Sequence, residues 1–217
     1  MNKKWSELNK TMQTQISKKE SFEKGKETLF SLRNELFGYL KKMKLEEPVE
    51  NLSKMPFMNS KGYHSKSIAY SLWHIFRIED IVVHELIQKN DEILFSADFV
   101  SKIKSPIITT GNELVKEEIL YFSQKLDISE LFNYCENVKL STDSMLRRLA
   151  YDDLKMKYDD VDKKRLKKAK VVSENENAFW LIDYSCGKNL KGLIQMPFSR
   201  HWIMHIEAIS RIREKLE

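Results

Sequence analysis

Residues 65–89 read SKSIAYSLWHIFRIEDIVVHELIQK, with no Gly or Pro to interrupt them. The Ile and Val content alone would tolerate a strand. Strands, however, run to about 4–8 residues, and this stretch is long enough for about seven helical turns. Length therefore decides for a helix. The whole chain has the same character: its 217 residues contain 6 Gly and 4 Pro, where average usage would give roughly 15 and 11. Both residues interrupt regular structure, Gly through backbone entropy and Pro through its missing donor. Their scarcity favours long helices over a turn-dense sandwich or barrel.

Upstream, Leu29, Leu32, Leu36, Leu40 and Met43 recur at spacings of three and four and mark a helix over roughly 20–44, although Gly25 and Gly38 lie inside it. Trp5, Leu8, Met12 and Ile16 form a weaker stripe before it. Pro48 and Pro56 hold a loop that runs to about Gly62. Downstream, Asp91 is placed to cap a shorter helix ending before Pro106. Thr110-Gly111-Asn112-Glu113 has the S/T-x-x-E form of a capping box and predicts a helix to about Leu126. Leu131, Cys135, Val138, Thr142, Met145 and Leu149 form a seam on another helix from near Ser129, which makes Cys135 a small core residue. Residues 151–196 read as helical turns and loop. Pro197 suits the first turn of a last helix over about 198–215. The expectation is one all-α domain over 1–217, a helical bundle with an insertion at about 150–195.

Charge excludes little. Lys and Arg number 37 and Asp and Glu 32, a net +5 with the two signs interspersed. The basic run Lys163–Lys170 follows acidic Asp159–Asp162 and lacks the aromatics that stack on bases, so it reads as a solvated face and nucleic acid is a disfavoured partner. Two cysteines 51 residues apart make no disulfide framework. No apolar run approaches the roughly 18 residues of a membrane span, and no apolar signal core follows the amino terminus. The default location is the cytoplasm.

The histidines carry the most information. His201 and His205 lie one turn apart on a face that continues through Ala208 and Ile212, so both point toward the core, where polar groups need partners. His74 shares its face with Ile78 and Ile81. His84 lies about 80° round from His74 at 3.6 residues per turn, among Arg77, Asp80 and Gln88, and reads as a surface residue with Asp80 as its partner. His64 is not placed by periodicity. Two readings of the inward histidines compete. One is three hydrogen-bonded core residues; the other is three imidazoles, His74, His201 and His205, around one divalent ion such as Zn, Ni, Cu or Fe. Three protein ligands leave a position open for water or substrate, as in catalytic sites. Trp202 follows His201, so the H-E-x-x-H metalloprotease arrangement is absent.

The stretches SIAYSLWHIFRIED (67–80) and MPFSRHWIMH (196–205) resemble the second and last helices of the DinB/YfiT-like superfamily. The resemblance implies an up-down-down-up four-helix bundle. Near one end it implies a divalent-metal site (Zn, Ni or Fe) held by His74, His201 and His205. Members with assigned roles include bacillithiol S-transferases, a mycothiol-dependent maleylpyruvate isomerase and the amino-terminal domain of ergothioneine-forming sulfoxide synthases, and many form dimers. The theme is a low-molecular-weight thiol activated at a metal. Two departures stand out. The gap from His74 to His201 is longer than usual because of the insertion. No general base is evident either: Tyr70, read as a packing aromatic, and Arg77, read as a surface or ion-pair residue, are the nearest polar groups. The leading expectation is thus a metal site that activates a small thiol or water for transfer to, or hydrolysis of, a small molecule. The alternatives are a non-catalytic, stress-related binding protein with Trp5, Phe179 and Trp180 at a homodimer interface, and, further off, a nucleic-acid-binding protein.

Overall fold

The structure, a computed structural model, describes residues 2–174 and 176–217, without the side chains of residues 176 and 177. Among the described residues there is no strand, and the chain is all-α. In order, the helices are α1 (Lys3–Ile16), α2 (Phe22–Glu46), α3 (Val49–Leu52), α4 (Ile68–Asp80), α5 (Ile93–Ser96), α6 (Phe99–Ile103), α7 (Glu117–Lys125) and α8 (Ile128–Arg148), followed by α9 (Asp160–Lys168), α10 (Glu176–Cys186), α11 (Leu190–Gln195) and α12 (His201–Leu216). Wider π-type turns extend α4 through Ile81–Gln88 and lead into α12 over Met196–Arg200. No helix among the described residues is long and apolar enough to cross a membrane.

The long helices follow the apolar stripes. The stripe of α2 is buried from Leu29 to Met43. Gly25 lies inside α2 because α1 crosses there: a Cβ at this position would sit 2.7 Å from the Ile16 amide nitrogen. Here the helix accepts the entropic cost of Gly for a close crossing. α4 packs against both α8 and α12, and α12 also meets α2. Their shared core holds Trp73, Phe76, Leu131, Cys135, Trp202 and Ile206. A second apolar cluster forms at the other end of α4, where Ile78, Ile81 and Val82 meet Leu166, Leu181, Ile182, Leu193 and Phe198. The stretch at 150–195 is therefore more regular than helical turns and loop, because its apolar residues have a core of their own to build.

Three local expectations change. Thr110 opens no helix: residues 107–116 are irregular and α7 starts at Glu117, with Glu113 spent on a hydrogen bond from the Thr109 hydroxyl. Asp91 caps nothing; Glu92 occupies the N-cap position of α5 and makes no side-chain cap. Trp5 is buried, edge-on to Tyr39, and so presents no interface aromatic.

Candidate metal centre

The centre is assembled by one face of α4, one loop and the start of α12. Tyr70, Trp73, His74 and Arg77 occupy positions i, i+3, i+4 and i+7 of α4, which is one face. Four consecutive carbonyls of the irregular loop accept a hydrogen bond from each of them. Arg77 Nε donates to Ile108 O at 2.7 Å and Trp73 Nε1 to Thr109 O at 3.0 Å. His74 Nδ1 donates to Thr110 O at 2.9 Å and the Tyr70 hydroxyl to Gly111 O at 2.8 Å. A helical 110–113 would have turned these carbonyls into its own ladder. Gly111 closes the loop at φ +76°, a conformation that Gly adopts without a Cβ penalty. Its Cα faces Tyr70 so closely that a Cβ would meet the ring at 3.0 Å.

The Thr110 carbonyl takes the Nδ1 proton of His74 and so leaves the Nε2 lone pair free. A metal-binding histidine has this arrangement, with its second nitrogen tied to a carbonyl. The Tyr70 ring stacks on His74 at 5.7 Å and 11°. From α12, His201 and His205 close on His74, with ring centroids 5.2 and 4.9 Å away and 4.6 Å between the pair. One ligand nitrogen from each of the three lies within 4.8 Å of the others. The π-type turn at Met196–Arg200 ends where His201 begins, and such turns frequently mark functional positions.

All three rings are buried. Burial pushes His74 down to about 4, the Lys66 charge adding to the effect and the Thr110 carbonyl opposing it. Burial, and then the neighbouring imidazoles, push His201 and His205 well below the ordinary histidine value. The rings are therefore neutral near pH 7, the form that offers a lone pair to a metal. His201 Nδ1 and both ring nitrogens of His205 lie buried without a hydrogen-bond partner. Groups left this way cost about 1–3 kcal/mol each. A divalent ion is a partner that fits this donor set, since imidazole nitrogen suits Zn, Ni and Fe alike.

A cavity of about 290 Å³ opens on His74 and His201. Tyr63, edge-on to His205 at 4.6 Å, stands at one side, and α10 supplies Trp180, Leu181 and Tyr184 on another. The segment between α8 and α12 thus forms part of the cavity's wall.

The other polar positions resolve differently. His84 is not on the surface but 2% exposed, bonded through Nδ1 to Asp80 Oδ1 at 2.7 Å and through Nε2 to Ser141 at 2.8 Å. The polar face it shares is covered by α8, and the π-type turn also breaks the regular angular count. Arg77 is buried and ion-paired with Glu92 at 2.5 Å, and His64 meets Arg211 at 2.8 Å, away from the cluster. The Tyr70 hydroxyl is engaged and its pKa raised by burial, so neither Tyr70 nor Arg77 supplies a base.

The group that periodicity missed is Arg33. Fully buried, it donates from Nε to Asp143 Oδ1 at 2.7 Å and from its terminal nitrogens to Glu79 at 2.7 and 3.0 Å and to the Phe198 carbonyl at 3.0 Å. Its guanidinium lies 4.5 Å from the Trp202 ring, whose Nε1 donates to the same Glu79 at 2.8 Å. The signal was present, because Leu29, Arg33, Leu36 and Leu40 share one face. A charge on an apolar stripe must meet counter-charges inside.

Among solved structures, the chain is similar to a conserved protein from Enterococcus faecalis, with a TM-score of 0.54 and 17% identity over 88% of this chain and 93% of that one. At that identity the likeness concerns the fold alone. No family model matches the chain, and neither does any curated protein.

Proposed function

We propose that this chain is a DinB/YfiT-like four-helix bundle, formed by α2, α4 with its extension, α8 and α12, and that His74, His201 and His205 hold one divalent ion at its working site. The observation that carries this reading is three neutral, buried imidazoles that come together beside a cavity, with unpartnered nitrogens on His201 and His205. Such an ion supplies a positive charge that lowers the pKa of a thiol or water at its open position. The remaining roles belong to the chain. The Thr110 carbonyl fixes the His74 tautomer, Tyr70 packs the ring in place, and the aromatic walls limit water around the open side. Among the described residues lining the cavity there is no carboxylate, so a reaction here favours a nucleophile that loses its proton without a protein base. A low-molecular-weight thiol suits that requirement better than water does. The reaction class is transfer of that thiol to a small electrophile, with hydrolysis as the variant in which water takes its place.

Elemental analysis of the purified protein and zinc titration of the metal-free form test the reading. One equivalent of divalent ion is expected, lost in His201→Ala and His205→Ala. A wild-type protein that takes up no zinc, nickel or iron would overturn it. Full metal occupancy without conjugation of any cellular thiol would turn the choice to a non-catalytic binding protein.

A further inference from the structure

We infer that the cavity beside the histidines is a site for an uncharged ring-bearing ligand with a carbonyl oxygen, its ring held by α10 and its oxygen by Asn112. The inference rests on the proposed metal site only for the reaction the ligand undergoes, where it would be the electrophile; the cavity itself stands on its walls. Trp180, Leu181 and Tyr184 lie at positions i, i+1 and i+4 of α10 and give it an aromatic and aliphatic side. None of the described residues lining it is Lys, Arg, Asp or Glu. A charged ligand group would therefore lose its hydration without a protein counter-charge. The lining also carries the hydroxyls of Tyr63, Tyr184 and Ser185, and among its amide groups Asn112 Nδ2 is buried with no hydrogen-bond partner. An amide N–H shut away from water needs an acceptor, and a ligand carbonyl supplies it without introducing charge.

Size narrows the class. About 150 Å³ of apolar cavity suffices for benzene, and the volume here is about 290 Å³. A single ring with a short carbonyl arm fits, whereas a nucleotide or a long acyl chain does not. Trp180 is 52% exposed, more than a core residue would be, so half of its indole remains free to serve as the cavity's outer wall.

Acetophenone is the probe, followed by ligand-detected NMR saturation transfer and by titration, in metal-free and zinc-loaded full-length protein. Saturable binding is expected in both forms. Trp180→Ala should weaken it about tenfold, the scale of a lost aromatic contact. Asn112→Ala should weaken acetophenone about fivefold while leaving toluene unchanged, the scale of one hydrogen bond. Circular dichroism confirms that each variant is folded. Absence of saturable binding, tighter binding of benzoate than of acetophenone by the metal-free protein, or equal affinity in both variants overturns the inference. Zinc uptake measured on the same samples separates the two readings: acetophenone bound without zinc removes only the metal site, and zinc bound without acetophenone removes only this cavity's assignment.

Discussion

The guanidinium of Arg33, packed against Trp202 of α12, and the imidazole of His205 on α12 are both buried, and they are provided for in opposite ways. Arg33 reaches Glu79, Asp143 and the Phe198 carbonyl, and Lys139 completes the Asp143 carboxylate at 2.6 Å. Desolvation opposes the charge, yet the paired carboxylates hold its pKa above the ordinary arginine value. His205 has a partner at neither nitrogen. The first cluster joins α2, α4, α8 and α12 with every strong group satisfied, which is what a structural network requires. The second gathers three neutral rings beside a cavity, with His74 tied through Nδ1 to Thr110 and with His201 Nδ1 and both His205 nitrogens unpartnered. One cluster is complete in the chain alone; the other is the place where the proposed divalent ion would supply the missing partner.

The largest expected effect tests the structural side. Arg33→Ala leaves the buried Glu79 carboxylate without its counter-charge and Asp143 with Lys139 alone, and should cost about 3–5 kcal/mol in urea unfolding. A loss under 1 kcal/mol would mean that water enters the cluster and that the contrast with the histidines is overdrawn. Next comes the open side. Zinc at about 100 times its Kd should raise the unfolding free energy of the wild type by about 2.7 kcal/mol. The same addition should do nothing for His205→Ala, whose metal-free stability should match or exceed that of the wild type because an unpartnered group is gone. If His205→Ala destabilises the metal-free protein as strongly as Arg33→Ala does, the imidazole is a packed structural residue after all.

A smaller effect probes the loop that serves the site. Gly111→Ala forces an L side chain into a left-handed conformation, at a cost of about 1–2 kcal/mol, and presses a methyl group on Tyr70. Zinc affinity should fall along with stability, because the Gly111 and Thr110 carbonyls hold Tyr70 and His74 together. Unchanged zinc affinity would detach the loop from the centre.

The next prediction uses pH and a histidine outside the centre. Burial alone would lower His84, but the hydrogen bond and charge of Asp80 more than offset it and hold the imidazole raised. Burial would likewise raise Asp80, and the hydrogen bond from His84 with the charges of Arg77 and His84 holds it low. The His84 contribution is therefore complete below its unfolded value of about 6.5 and fades as pH rises through the folded one. The Asp80 contribution is present above about 3.9 and fades as pH falls. Stability measured from pH 5 to 9 should decline on the alkaline side in the wild type, and that decline should disappear in His84→Gln. The smallest effect belongs to Trp180→Ala, expected to move stability by less than about 0.5 kcal/mol; a larger loss would make α10 a structural brace instead of a ligand wall.

The long helices were legible because their apolar stripes are regular. The expected 20–44 became Phe22–Glu46, and the uninterrupted 65–89 became α4 with its extension. The inward aim of His74, His201 and His205 was legible for the same reason. Periodicity failed where the partner comes from another element. His84 sits on a polar face that α8 covers, and Arg33 sits on an apolar face that Glu79 and Asp143 make habitable. The S/T-x-x-E pattern at Thr110 failed because α4 competes for the same backbone: four of its side chains take the carbonyls of residues 108–111 as acceptors. The role of Trp180 could not be inferred from its neighbours in sequence, since the cavity it walls has His74 and His201 as its floor.

By itself, the sequence determined that the chain is helical, roughly where the long helices run, and that His74, His201 and His205 turn inward, since helix length and facing depend on residue spacing along a single segment. Only the tertiary structure decided that those histidines meet, that a loop of carbonyls orients one of them, and that Arg33 rather than any histidine is the buried charge with a complete set of partners. These outcomes depend on groups that are distant in sequence and brought together by packing. Whether a polar side chain is satisfied inside a protein is a property of its neighbours, and the sequence does not display neighbours.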